Sequence, residues 1–185
     1  YNIKKNDKIV ICIGRLVPQK NIIEVLKIAK LLPNLRFFVL GGGPLFSELY
    51  EYKVFNKIDN LTFTGEINNV FKFLAVGHLY LSTSIYEGHP ISILEAMSFG
   101  LPIVASKVIG NIDTLDQGKS GYFYTLGNFR QASQLIRKIT NDKKISRKMG
   151  KESFKKQQDN FTANLMAQKY NNLYLKLLNN EKYYG

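Results

Sequence analysis

The chain has 185 residues, 45% of them hydrophobic and 22% charged, with 26 Lys and Arg against 14 Asp and Glu for a formal charge of +12. That length suits one domain with a large core, and that composition excludes a disordered chain. The positive balance calls for anionic partners (nucleotide phosphates, nucleic acid or an acidic membrane face) without choosing among them. No apolar run approaches the ~20 residues that cross a bilayer, and no signal peptide is read. Because the chain starts at Tyr1 in place of Met, an upstream segment is expected to have been removed. The lone Cys12 lies in an apolar run, cannot pair within the chain and reads as a small core residue. A cytoplasmic location is expected.

Lys8 to Ile13 is a continuous apolar run of strand length, the pattern of a parallel strand covered on both faces. Gly14 to Asn21 follows as a loop, and Ile22 to Leu32 as an amphipathic helix. Arg15 and Lys20 therefore lie beyond the carboxyl end of a strand, where ligands bind in open α/β sheets. Arg offers a planar fork and Lys a point charge, a pair suited to a diphosphate. Taken as an isolated loop, they are equally two solvated cations.

Leu35 to Leu40 is the second strand and runs into Gly41-Gly42-Gly43-Pro44. A glycine run there permits close backbone approach, but no P-loop lysine or G-x-G-x-x-G spacing accompanies it. Leu45 to Phe55 is helical, Asn60 to Gly65 a third strand, and Val70 to Ala75 a helix after the loop that Glu66-Ile67 opens. His78 to Ser82 is the fourth strand, with His78 a structural strand-end residue.

Ser84 to Ser106 reads as a loop, a helix, a glycine turn and a buried strand. Gly88 and Pro90 punctuate the helix entry, and Gly100 its exit. Ile91, Leu94 and Met97 follow at helical spacing and are expected to face the core. The N–H groups of residues 88 to 91 are expected to be free at the helix start, carrying partial positive charge. Glu87 in the loop and Glu95 in the helix could accept hydrogen bonds from hydroxyls at two parts of one elongated ligand. The residues alone equally permit a capping Glu87 and a solvated Glu95.

Glu87-Gly88-His89-Pro90, Glu95-Ala96-Met97 and Gly100-Leu101-Pro102-Ile103-Val104-Ala105 resemble the E-G-x-P, E-A-M and G-x-P-V-V-A signature of family 4 retaining glycosyltransferases. The E-x7-E pair of that family stands unbroken. The resemblance runs from Ile9 to about Phe123 and concerns only the C-terminal, donor-binding half of the two-domain GT-B fold. It implies that Gly14-Arg15-Leu16 with Lys20-Asn21 is the diphosphate-binding segment. It implies that Gly65 and Ile67 lie beside the nucleotide base, that Glu87 meets the donor sugar and that Glu95 meets the ribose. It further implies that Gly88, His89, Pro90 and Ile91 complete the donor site and that Glu87, Arg15 and Lys20 are the catalytic set. Residues 107–113 depart from the family's G-G-x-P-E turn, keeping Gly110 with Ile109, Ile112 and Asp113 at the other places.

Gly118 to Tyr124 resembles the family's N-G-x-L turn and last strand, and six strands alternating with helices give a Rossmann-like, doubly wound parallel sheet. From Phe129 the chain is helical. Asp142 to Lys156 carries seven cations beside Ile145 and Met149. Such a run usually belongs to a solvated face; contact with anionic lipid is its second reading. Phe161 to Leu178 is a last helix with Leu165, Tyr170, Leu173 and Leu177 at packing spacings, within a helical tail over 157–185. The final seven residues read as a frayed end.

The sequence therefore reads as one nucleotide-sugar-binding domain, from a glycosyltransferase that builds polysaccharide on a glycan or lipid-linked acceptor. The resemblance puts the acceptor domain outside this chain, so the chain alone is expected to be inactive. No metal site is read, because there is no Asp-x-Asp and no His/Cys cluster at ligand spacing. No cofactor is read beyond the nucleotide-sugar substrate, and no motif supports nucleic-acid binding. Two alternatives stay open: a non-catalytic nucleotide-sugar binding module, and another GT-B enzyme such as a sugar-nucleotide epimerase.

Overall fold

The computed structural model describes residue 1 and residues 3–178. The reading of a frayed end at 179–185 lies outside the described residues. β1 (Ile9–Ile13), α1 (Ile22–Leu31), β2 (Arg36–Leu40), α2 (Phe46–Phe55) and β3 (Leu61–Gly65) form the first half of the sheet with its helices. α3 (Phe71–Val76), β4 (Leu79–Ser82), α4 (Ile91–Ser98), β5 (Ile103–Ser106), α5 (Ile109–Thr114) and β6 (Gly121–Tyr124) form the second. α6 (Phe129–Asn141), α7 (Lys143–Asn160) and α8 (Ala163–Leu178) follow. The strands pair in parallel in the order β3-β2-β1-β4-β5-β6.

Alternation along each strand divides the core in two. Val10, Cys12, Phe37, Val39, Leu79, Leu81 and Val104 pack with α1 and α6 on one face. Ile9, Ile11, Phe38, Leu40, Tyr80, Ile103 and Ala105 pack with α3 and α4 on the other. Both faces are covered, which is why the strands read as unbroken apolar runs. Cys12 is buried as expected, and burial pushes its thiol up. His78 accepts the Ile9 N–H at Nδ1 (3.3 Å), the structural role read for it.

Four expectations are corrected. Ile91 is 58% exposed, and α4 instead buries Ile93, Leu94, Ala96 and Met97. Spacing alone could not fix the register, because Ile91 and Ile93 point to opposite faces of a short helix and either can join Leu94 and Met97 on the buried side. Residues 107–113 are compared with a turn, yet Ile109–Thr114 form the helix α5; Gly110, Asn111, Asp113 and Thr114 are weak helix formers and hide it. α8 buries no residue fully, and of its four expected packing residues Tyr170 and Leu177 are exposed. α7 also runs on to Asn160, past the expected tail boundary at 157.

Candidate functional site

In this strand order the chain reverses direction of growth between β1 and β4, so a crevice opens above their carboxyl ends. The loop after β1 carries Arg15 and Lys20, and the loop after β4 carries Glu87. Neighbouring strands therefore deliver the cation and the carboxylate to one place, although they stand 67 residues apart. Lys20 Nζ meets Glu87 Oε1 at 2.5 Å. The Glu87 side chain is only 8% exposed, and Ser84 Oγ donates to the same oxygen at 2.7 Å.

The two loops are also joined through their backbones. Thr83 Oγ1 donates to the carbonyls of Lys20 and Asn21 (2.8 and 3.1 Å), and the Ile85 N–H donates to Gln19 O (2.8 Å). A Cβ on Gly14 would lie 3.1 Å from Lys20 Cγ, so the missing side chain makes room for the lysine stem. The glycine run after β2 serves this loop too. Leu16 N–H donates to Gly42 O (2.8 Å), and a Cβ on Gly43 would stand 2.7 Å from Leu16 N and O. Glycine is required there for approach between two backbone segments.

Arg15 is exposed, and its guanidinium makes no ion pair among the described residues. Gly65 ends β3 with φ 73° and open space where a Cβ would stand; its carbonyl accepts the Gly41 N–H at 2.9 Å. Ile67 is half-buried against the second core cluster. Gly88 and His89 are exposed, and Pro90 is buried as the N-cap of α4. The four free N–H groups expected over 88–91 reduce to those of Gly88 and His89, because Pro90 has none and Ile91 donates to His89 O (2.9 Å).

Glu95 makes no ion pair among the described residues. It lines an open, mostly apolar hollow of about 680 Å³ between α4 and the α7–α8 corner, with His89, Ile91, Leu94, Phe161 and Met166. Burial raises its carboxyl above the usual range. The His89 ring lies 6.1 Å from that of Phe161.

The sequence did not point to Glu24, which is 3% exposed and accepts from Asn21 Nδ2 (2.6 Å) and the Gly127 N–H (3.1 Å). It fixes the turn between Lys20 and α1. Its position within an amphipathic helix carried no signal, since glutamate is ordinary there. Ser84, Ser106 and Asn111, all fully buried or nearly so, also went unread as site residues. Among the described residues no His/Cys/Asp/Glu group has the form of a metal site, and no helix is long and apolar enough to cross a membrane.

The whole chain is similar to known proteins. It is 28% identical, over 97% of its length, to the Escherichia coli UDP-Gal:alpha-D-GlcNAc-diphosphoundecaprenol alpha-1,3-galactosyltransferase, covering 48% of that protein. It is 25% identical, over 98% of its length, to N-acetyl-alpha-D-glucosaminyl L-malate synthase of Bacillus anthracis, covering 49% of it. The chain thus spans about half the length of these curated relatives. Among solved structures, Staphylococcus aureus TarM in complex with fondaparinux, alpha-GlcNAc-glycerol and UDP superposes with a TM-score of 0.85 at 24% identity, covering 94% of this chain and 37% of that one. Residues 1–156 match the model of the glycosyl transferases group 1. The chain therefore belongs to the glycosyl transferases group 1 family, and its sheet is the C-terminal half of the GT-B fold.

Proposed function

We propose that this chain is the donor-binding half of a retaining glycosyltransferase, which moves a sugar from a nucleotide-sugar to a glycan or lipid-linked acceptor in polysaccharide biosynthesis. The observation that carries the reading is the meeting of Lys20 and Glu87 above the β1–β4 crevice. One ligand with an anionic half and a hydroxylated half matches such a pair. The diphosphate takes Lys20 and Arg15, and the sugar hydroxyls take Glu87. Gly14, Gly88, His89, Pro90 and Ile91 shape the surrounding wall, Gly65 and Ile67 flank the base, and Glu95 takes the ribose.

In the transfer, the bond from the anomeric carbon to the diphosphate oxygen breaks and its electron pair stays on that oxygen. The acceptor hydroxyl oxygen bonds the anomeric carbon, and its proton passes to the departing diphosphate oxygen. Negative charge grows on the leaving diphosphate, so the attraction of Arg15 and Lys20 grows in the transition state. Two cations at the leaving group do the work often given to a metal ion, so this reading calls for none. The acceptor groups belong to the other half of the protein. The relatives differ in this respect: one is named for a diphosphoundecaprenol-linked sugar and another for L-malate.

A second partner follows from charge. The exposed cations of α7 would meet an anionic membrane surface from the cytoplasmic side. The donor reading is tested by thermal-shift measurements with UDP, GDP, ADP and their sugars. One diphosphate series should stabilise the chain, and Lys20→Ala should remove the shift. No shift with any nucleotide overturns the reading.

A further inference from the structure

Glu87 lies in a loop between β4 and α4, where a long side chain has no regular structure to aim it. Its Oε1 is held twice, by Lys20 Nζ (2.5 Å) and by Ser84 Oγ (2.7 Å). A diphosphate that draws Lys20 away leaves Ser84 as the side chain still holding that carboxylate. Ser84 is itself held from below. Its carbonyl accepts from Ser106 Oγ at 2.6 Å, and Ser106 stands at the carboxyl end of β5. Asn111 Nδ2, in the first turn of α5, donates to Ser106 O at 2.9 Å and reaches Ser106 Oγ at 3.3 Å. Ser84 is 2% exposed, and Ser106 and Asn111 are 0% exposed.

The same short helix also supports the loop backbone. A Cβ on Gly110 would stand 2.5 Å from Glu87 O and 2.7 Å from Gly88 O, so α5 rests directly against these residues. A polar set at this depth is costly. Asn111 Oδ1 is buried with no partner, and apolar residues of the same volume would serve stability alone as well or better. What the polar set adds is direction: each donor fixes the next acceptor, and the last acceptor is Glu87.

We propose that Ser84, Ser106 and Asn111 are positioning residues that aim the Glu87 carboxylate at the donor sugar, with Gly110 giving α5 its seat against the Glu87–Gly88 backbone. The proposal rests on the reading that Glu87 meets that sugar. The test is calorimetric titration of the 185-residue chain with UDP and with UDP-glucose, UDP-galactose and UDP-N-acetylglucosamine. The readout is the affinity for the best of these sugars relative to UDP, with melting temperature as the control.

Glu87→Ala should lower that ratio ~10-fold, the scale of a lost hydrogen bond to a charged group. Ser84→Ala and Asn111→Ala should each lower it by about a third to all of that factor, leaving UDP affinity unchanged. If Glu87→Ala lowers the ratio and neither other variant does, the positioning role is overturned while the role of Glu87 stands. If Glu87→Ala leaves the ratio unchanged, the role of Glu87 fails, and the positioning role with it. If Ser84→Ala and Asn111→Ala weaken UDP and UDP-sugar alike in step with melting temperature, the three residues serve stability alone and the proposal is wrong.

Discussion

Lys20 Nζ lies 2.5 Å from Glu87 Oε1 and ties the loop after β1 to the loop after β4. The lysine side chain is 21% exposed and the carboxylate 8%, so the pair falls between a surface ion pair, worth little, and a buried one, where removing one partner is expensive. Lys20→Ala should therefore destabilise the ligand-free chain by about 1–3 kcal/mol, because Glu87 is left with Ser84 alone. Adding Glu87→Gln should recover part of that loss. Urea unfolding of the two single variants and the double variant closes the cycle. Strict additivity would mean that the pair contributes no coupling.

The same lysine has a second expected effect. If Lys20 holds the diphosphate, its removal should weaken UDP binding ~10- to 100-fold, the range for a charge-assisted hydrogen bond. Arg15→Ala should weaken UDP binding as well, yet leave unfolding free energy within about 0.5 kcal/mol, as an exposed residue without an ion-pair partner should. Calorimetry and urea unfolding on the same samples separate the two residues. Equal stability losses in both variants would contradict the contrast drawn here.

Glu24 gives a pH signature. Burial raises its carboxyl above the ordinary 4.5, and the hydrogen bonds from Gly127 and Asn21 together with Lys27 only partly oppose that. A raised acid binds its proton more tightly when folded, so the folded state holds more protons than the unfolded state between the two pKa values. Its contribution to stability is then largest below 4.5 and falls as pH rises through 4.5 to the folded value. Glu95, also raised by burial, acts with the same sign. The Glu24→Gln variant should show a flatter decline in unfolding free energy as pH rises from about 4 toward neutrality. A wild-type chain that gains stability relative to Glu24→Gln over that interval would have the opposite linkage.

Much of the fold and of the site is legible in the sequence, and the reason is local. Ile9–Ile13 and Ile103–Ser106 are apolar on both faces and follow or precede glycine and proline turns, so period and punctuation agree. The E-x7-E spacing likewise sits in one helix entry. What was hidden depends on register or on distant chain. Ile91 against Ile93 is a choice that only packing on the sheet decides. The Ser84–Ser106–Asn111 links join three elements, and nothing in a run of Ser and Asn marks it as buried. Nor does the sequence show that Glu95 lines an open, mostly apolar hollow together with His89, two residues beyond Glu87.

The glycine run after β2 leads to a stability prediction. Gly43 has φ 155°, and its Cβ would stand 2.7 Å from both Leu16 N and Leu16 O. Those are backbone atoms in a loop already fixed by the bonds Leu16 N–H to Gly42 O and Leu45 N–H to Leu16 O. They cannot turn aside as a flexible side chain would. Gly43→Ala should cost about 1–3 kcal/mol by overpacking and shift the Arg15–Lys20 loop. Gly88→Ala meets nothing within 4 Å and should leave stability within about 0.5 kcal/mol. Thermal unfolding of the pair provides the comparison, and similar melting temperatures would refute the close-approach argument.

The basic helix α7 carries the prediction about membranes. Lys143, Lys144, Arg147, Lys148, Lys151 and Lys155 are exposed along it, while Met149, Gly150 and Ser153 are buried. Phe154 is 45% exposed and borders the same depression as Phe99, Arg147 and Lys151. Phe99 in turn stacks on Phe71 at 5.6 Å. Aromatic rings ringed by cations suit an anionic bilayer, where each Lys or Arg near the surface adds about 1 kcal/mol and buried apolar area adds more. The depression includes Gly77 and Pro102, which precede β4 and β5, so it opens at the end of the sheet away from Lys20 and Glu87. Binding there would leave the crevice open. The chain should therefore sediment with phosphatidylglycerol vesicles in low salt and be released as salt rises. The double reversal Arg147→Glu with Lys151→Glu should abolish that binding, and Phe99→Ser with Phe154→Ser should weaken it at every salt concentration. Equal sedimentation with neutral phosphatidylcholine vesicles, or binding left unchanged by the charge reversal, would reduce α7 to a solvated face.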